Sequence, residues 1–136
     1  MSLHLVPVRD REAVRSVRLR HRRTPRGRVF AVAGADDDGR VRTVAVAHRP
    51  TAGLLDDGTT LEVTFADVGT GAPVEDSLLY TACRRAAESL GYTRLVTYAR
   101  DDESAARARR AGWRATARRR ARPGEGPVVV SLWQAP

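Results

Sequence analysis

Between Thr59 and Tyr98 the chain passes through a block of β-forming residues, a turn holding Gly69 and Gly71, an apolar-periodic stretch ending at Leu90-Gly91, and a second β-forming block. A strand that runs through a glycine turn into a helix gathers unpaired backbone N–H groups at the helix start, which makes a seat for an anion such as a phosphate. Glu62, set between Leu61 and Val63, falls on the opposite face of its strand from both and turns its carboxylate to a cleft or to solvent. Tyr98 closes the second block, where its ring can be buried while its hydroxyl reaches the surface. Ser77 stands in the first helical turn, able to bond a phosphate oxygen or a local backbone N–H.

Other reactive side chains lack the neighbours that chemistry would need. Cys83 falls on the apolar side of its helix with no histidine nearby in sequence to activate it, so it reads as core filler. His4, His21 and His48 have no metal-ligand spacing with one another or with Cys83, and no metal site is expected. Asp36-Asp37-Asp38 lacks the distal glutamate of a calcium loop and reads as a solvated turn. Arg22, Arg23, Arg26 and Arg28 can gather an anionic partner, as can the denser run at Arg118, Arg119, Arg120 and Arg122. On a strand, that run would also make a charged edge that resists aggregation.

The elements that position these groups follow from periodicity and punctuation. His4 to Val8 is a short strand, and Asp10 caps a helix whose apolar side carries Ala13, Val14 and Val17. Thr24-Pro25-Arg26-Gly27 ends it. Arg28 to Gly34 and Arg40 to His48 flank an acidic turn closed by Gly39, a hairpin. Thr60 to Val68 is the fourth strand. A helix with Leu78, Leu79, Ala82, Cys83, Ala86, Ala87 and Leu90 on its apolar face ends at Gly91. Leu95 to Ala99 is the fifth strand, a helix from Asp102 or Ser104 runs to Ala111-Gly112, and strands at about Trp113 to Ala121 and Pro127 to Trp133 complete the order. The expected architecture is β-α-β-β-β-α-β-α-β-β, an α+β fold with helices over a largely antiparallel sheet.

A chain of 136 residues is expected to form one domain with a real core. Its net charge of +8 comes from arginine alone, with no lysine, isoleucine or asparagine, a skew that matches GC-rich coding as well as function. Such basicity suits an anionic cofactor, an acidic surface or nucleic acid. Only 5% of residues are aromatic, too few for a base-stacking platform. The lone cysteine and the lack of an apolar leader or membrane-length run predict a cytoplasmic protein without membrane attachment.

That element order, with a glycine turn between the fourth strand and the next helix, resembles the GCN5-related N-acetyltransferase (GNAT) fold. More narrowly, the chain is similar to the small XF1762-type acetyltransferase-like proteins. The likeness rests on His21-Arg22-Arg23 before Pro25 and Gly27, Arg49-Pro50, Asp56-Asp57-Gly58, Leu61-Glu62-Val63, Ser77, Leu79-Tyr80, Ala86-Ala87, Leu90-Gly91-Tyr92, Thr97-Tyr98, Glu103-Ser104 and Ala111-Gly112-Trp113. The resemblance implies a V-shaped gap between strands four and five that receives the pantetheine arm of acetyl-CoA or another acyl-CoA. It implies backbone contacts from Phe65, Ala66, Asp67 and Val68 to that arm, and N–H groups from Gly69, Thr70, Gly71 and Ser77 to the pyrophosphate. Glu62 would draw the proton from an amine, Tyr98 would serve the departing thiolate, and His21, Arg22 and Arg23 would lie near the acceptor, a small-molecule amine or a carrier-linked one.

One segment departs from the family pattern. Pro73 has no N–H, and Glu75 and Asp76 put two carboxylates where a pyrophosphate would sit; they suit the helix dipole but repel that ligand. The alternative expectation is therefore a non-catalytic or carrier-dependent protein of the same fold, monomer or homodimer, that holds RNA, DNA or a carrier-linked substrate on its arginines.

Overall fold

The computed structural model describes residues 4–7, 27–67, 78–99, 102–120, 123 and 129–136. The helix expected from Asp10 and the turn after the fourth strand lie outside the described residues, as do His21, Arg22, Arg23, Val68, Gly69, Thr70, Gly71 and Ser77. The described strands are β1 (His4–Pro7), β2 (Arg28–Ala35), β3 (Val41–His48), β4 (Thr60–Asp67), β5 (Arg94–Ala99), β6 (Arg114–Arg120) and β7 (Val129–Gln134). The helices are α1 (Leu78–Ser89) and α2 (Asp102–Arg110), and a short 3₁₀ turn covers Gly53–Leu55. No helix among the described residues is long and apolar enough to cross a membrane.

The strands form one seven-stranded sheet in the order β1-β2-β3-β4-β5-β7-β6, antiparallel throughout except where β4 meets β5. Between β2 and β3, the Asp36 carboxylate accepts the backbone N–H groups of Asp38 and Arg40, each at 3.0 Å, which fixes the turn. Asp36 is itself buried beside Arg42, so the acidic turn is solvated at Asp37 and Asp38 only.

β4 is buried on both faces. Leu61 and Val63 face α1, packing with Leu79, Tyr80 and Cys83, while Ala66 joins Val44, Val46 and Ala33 on the opposite side. α1 buries Leu79, Tyr80, Cys83 and Ala87. Leu90, expected on that apolar face, lies beyond the last helical turn and is exposed.

Both helices stop in the same way. Gly91 and Gly112 take φ of +91° and +87°, and the N–H three residues past each helix's last residue folds back: Tyr92 donates to the Ala87 carbonyl, Trp113 to that of Ala108, both at 3.0 Å. Only glycine enters this left-handed corner without strain, and the reversal swings the next aromatic ring into the core. Trp113 reaches its buried site this way. α2 carries Asp102 and Glu103 in its first turn and Arg107, Arg109 and Arg110 in its last, each sign set against the helix dipole.

Candidate functional site: a wedge beside the fourth strand

β4 is held very differently along its two edges. Toward β3 it pairs from Glu62 to Asp67. Toward β5 it pairs only at Thr60↔Arg94, Leu61↔Leu95 and Glu62↔Val96. From Val63 onward the backbone pairing of the two parallel strands stops, while on its other edge β5 pairs β7 from Val96 to Ala99. The first carbonyl past the fork, that of Val63, accepts the Thr97 hydroxyl at 2.7 Å, so a side chain ends the ladder where backbone pairing stops.

The direction of the remaining peptide groups follows from alternation. The Val63 carbonyl points to β5 and the Ala66 carbonyl to β3, where it accepts the Thr43 hydroxyl at 3.3 Å. Along a strand these directions alternate residue by residue, so Phe65 and Asp67 turn their peptide groups into the wedge. Ala66, expected among the backbone partners of an inserted arm, turns its carbonyl away.

Glu62 stands at the apex of the wedge, in the last β4–β5 pair, and is 4% exposed. Its Oε1 accepts both the backbone N–H and the hydroxyl of Thr51, each at 3.0 Å, which ties the β3–β4 connection to the strand. Its Oε2 faces His48 Nε2 at 3.9 Å. His48 lies directly across the ladder from Glu62 and is buried. His48 Nδ1 lies 2.8 Å from the Arg49 carbonyl, and since a carbonyl can only accept, Nδ1 carries a proton. In the neutral ring Nε2 then accepts the Thr64 hydroxyl, at 2.8 Å. This polar knot of Glu62, His48, Thr51 and Thr64 occupies the face of β4 opposite α1.

Tyr98 lies on that same face. Leu95 and Ala99 pack with the α1-side core, so the alternate residues Val96 and Tyr98 face the other way, with Glu62 and Thr64. The Tyr98 ring is half-buried and covered by the Arg119 guanidinium at 5.1 Å. Glu62 and Tyr98 are thus brought to one side of the fork, one at its apex and one on the far wall. Arg118 and Arg120 are exposed on β6, which forms an edge of the sheet.

The α1 side of the wedge is aromatic. Phe65 stacks on Tyr80 with ring centroids 4.0 Å apart, and Trp113 stands edge-on to both at 6.5 and 5.4 Å. Farther out, Arg107 of α2 reaches Asp67 with both terminal nitrogens, at 3.3 and 3.2 Å, and holds Glu103 at 3.1 Å. Burial works against the Arg107 charge, and bonding to Asp67 and Glu103 more than offsets it, raising the guanidinium above its ordinary value. Cys83 is wholly buried and its thiol is pushed up to about 12, which removes it as a nucleophile.

His48, Thr51, Thr64, Thr97 and Arg107 were not singled out for the site by sequence. His48 is recognisable only once the β3–β4 register is known, since it sits opposite Glu62 in space and not in sequence.

The fold is that of the GNAT superfamily acetyltransferases. The chain superposes on a GNAT superfamily phosphinothricin acetyltransferase from Sinorhizobium meliloti, solved in complex with AcCoA, with a TM-score of 0.72 at 14% identity, covering 100% of this chain and 89% of that one. A putative phosphinothricin N-acetyltransferase matches with a TM-score of 0.68 at 18% identity over 98% of each chain. The ribosomal-protein-S18-alanine N-acetyltransferase from Escherichia coli matches with a TM-score of 0.65 at 10% identity, covering 99% of this chain and 94% of that one. At these identities the likeness is one of fold. No family model matches the chain, and no curated protein matches its sequence.

Proposed function

We propose that the protein is a cytoplasmic, acyl-CoA-dependent N-acyltransferase of the XF1762 type that moves an acetyl or other acyl group to an amine. The observation that carries this reading is the fork itself: β4 keeps its full ladder to β3 yet gives up β5 after Glu62, which leaves wedge-facing peptide groups at Phe65 and Asp67. A strand edge that its neighbour leaves after three residue pairs can take an extended ligand in that neighbour's place, and an arm bearing two amides suits such an edge.

When bound, an acyl-CoA supplies an acyl group activated as a thioester. The peptide groups of Phe65, Asp67 and Val68 would hold the arm, and the N–H groups of Gly69, Thr70, Gly71 and Ser77 would hold the pyrophosphate. Glu62 takes the proton of the incoming amine on Oε2, the oxygen not committed to Thr51. His48, anchored through Nδ1 to the Arg49 carbonyl, fixes the wall against which that oxygen rests. Tyr98 donates to the departing sulfur from the opposite wall. His21, Arg22 and Arg23 receive the acceptor, whether a free amine or one on a carrier. General acid–base assistance of this kind contributes roughly 10²–10⁴-fold to rate.

Titration calorimetry with acetyl-CoA tests the reading. Saturable heat, abolished by competing CoA, is the expected result; no heat and no competition at millimolar ligand would reject acyl-CoA use.

A further inference from the structure

The ion pair between Asp67 and Arg107 lies where no backbone bond holds the wedge together. Asp67 ends β4, five residues past the last β4–β5 pair, about 16 Å at roughly 3.3 Å per residue. Arg107 belongs to α2, which packs on β5 and β7, the far wall. Their bidentate contact therefore crosses the mouth of the wedge. One guanidinium serves two carboxylates there, Asp67 and Glu103, so the cluster carries an excess negative charge. Arg107 is also incompletely satisfied: its side chain is only 11% exposed, and its buried Nε has no hydrogen-bond partner among the described residues. A buried fork of donors, already bidentate and with one N–H to spare, matches the oxygens of a phosphate as well as those of a carboxylate.

We propose that the Asp67 carboxylate is a stand-in for a donor phosphate: on binding, Arg107 releases Asp67 and transfers its fork to a phosphate oxygen of the donor. The inference rests on the acyl-CoA reading and adds to it a phosphate-binding residue on α2, apart from the glycine turn. No bond is made or broken covalently; one charge-assisted pair replaces another. Asp67 competes with the ligand twice, by occupying Arg107 and by repelling the incoming phosphate.

The test is calorimetric binding of two probes, acetyl-CoA and the phosphate-free S-acetylpantetheine, to the wild type, Asp67→Asn, Arg107→Gln and the double variant. Asp67→Asn is expected to tighten acetyl-CoA about 10-fold and Arg107→Gln to weaken it about 10-fold, the scale of one charge-assisted hydrogen bond. In the double variant affinity should fall well below that of Asp67→Asn alone, because Arg107 contacts the phosphate itself. If the double variant instead equals Asp67→Asn, Arg107 only neutralises Asp67 and the proposal is wrong. S-acetylpantetheine should bind all four proteins alike; an equal response to both probes also overturns the proposal. Glu103→Gln, at an exposed position, gives a second route should Asp67→Asn fold poorly: it should tighten acetyl-CoA by about 2- to 3-fold, and no gain counts against the transfer. If the wild type binds acetyl-CoA and Asp67→Asn binds no better, the stand-in idea falls and the acyltransferase reading stands. If no variant binds acetyl-CoA, both fall.

Discussion

The two edges of β4 meet neighbours of similar character and end differently. On the β3 side the ladder runs from Glu62 to Asp67, and a threonine hydroxyl, that of Thr43, merely adds to it at the Ala66 carbonyl. On the β5 side the ladder stops after Glu62, and Thr97 supplies the hydrogen bond that replaces the missing strand pairing at Val63. The difference shows that the opening is built: the parallel edge carries a designated end-stop, a polar knot behind its apex and an ion pair across its mouth. Its faces divide the labour too. The side under α1 is apolar and aromatic, while the opposite side sets the polar Glu62, His48, Thr64 and Tyr98 beside the small apolar cluster of Ala33, Val44, Val46 and Ala66.

The largest expected effect lies at the apex. Glu62→Gln keeps an amide oxygen that can accept from Thr51, so folding should change little, while loss of the base should lower kcat by roughly 10²–10⁴-fold with a much smaller change in KM. Steady-state kinetics beside urea unfolding separates the two, and unchanged turnover would reduce Glu62 to a structural carboxylate. Glu62→Ala should instead cost about 1–3 kcal/mol, since the charge-assisted bonds of the buried carboxylate to Thr51 are lost.

On the opposite face, Trp113→Ala is expected to destabilise by about 3–5 kcal/mol, the cost of emptying a buried indole site. Phe65 and Tyr80 would lose their edge-on neighbour, and urea unfolding measures the loss. A cost under about 1 kcal/mol would mean that the aromatic group is not what keeps this side of the wedge in shape.

Cys83 reports how dry that same face is. Its thiol ordinarily ionises at 9.0 and is held up to about 12 in the fold. Between those values the unfolded chain has lost a proton that the native state keeps, so the native state binds more protons and stability falls as pH rises. The contribution is complete below pH 9 and is lost progressively toward 12, at about 1 kcal/mol per pH unit. Urea unfolding under reducing conditions at pH 8 and pH 10, wild type against Cys83→Ala, isolates this slope. Parallel pH dependences for the two proteins would mean that water reaches the thiol.

Much of this arrangement was legible in the residues. The strands announced themselves through β-branched alternation between glycine turns, and Gly91 and Gly112 marked the helix ends because a left-handed corner there suits nothing else. A gap between strands four and five was legible only through family resemblance, because parallel strands are registered by the packing of everything between them and not by a turn. The site's partners were hidden for related reasons. The strands of His48 and Glu62 are joined by residues 49–59, too long a connection to fix register, and Asp67 meets Arg107 from 40 residues away. Leu90 shows the reverse error: helical period placed it inward, but the helix ends one residue earlier and leaves it in solvent.

The smallest effect sharpens the comparison of edges most directly. Thr97→Val and Thr43→Val remove equivalent hydroxyls, each bonded to a β4 carbonyl, one on the forked edge and one on the zipped edge. At 3.3 Å the Thr43 bond is long and the β3 ladder backs it, so its loss should cost only a few tenths of a kcal/mol, below the usual value for a hydrogen bond. Thr97→Val removes a 2.7 Å bond at a carbonyl that no backbone N–H from β5 is placed to satisfy, and about 1–1.5 kcal/mol is expected. Because Thr97 sets the depth of the wedge, its replacement should also shift acetyl-CoA affinity, whereas Thr43→Val should leave affinity unchanged. Equal stability losses with no change in binding would mean that the fork is held open by α1 and the aromatic cluster alone, and that the hydroxyl at its apex is incidental.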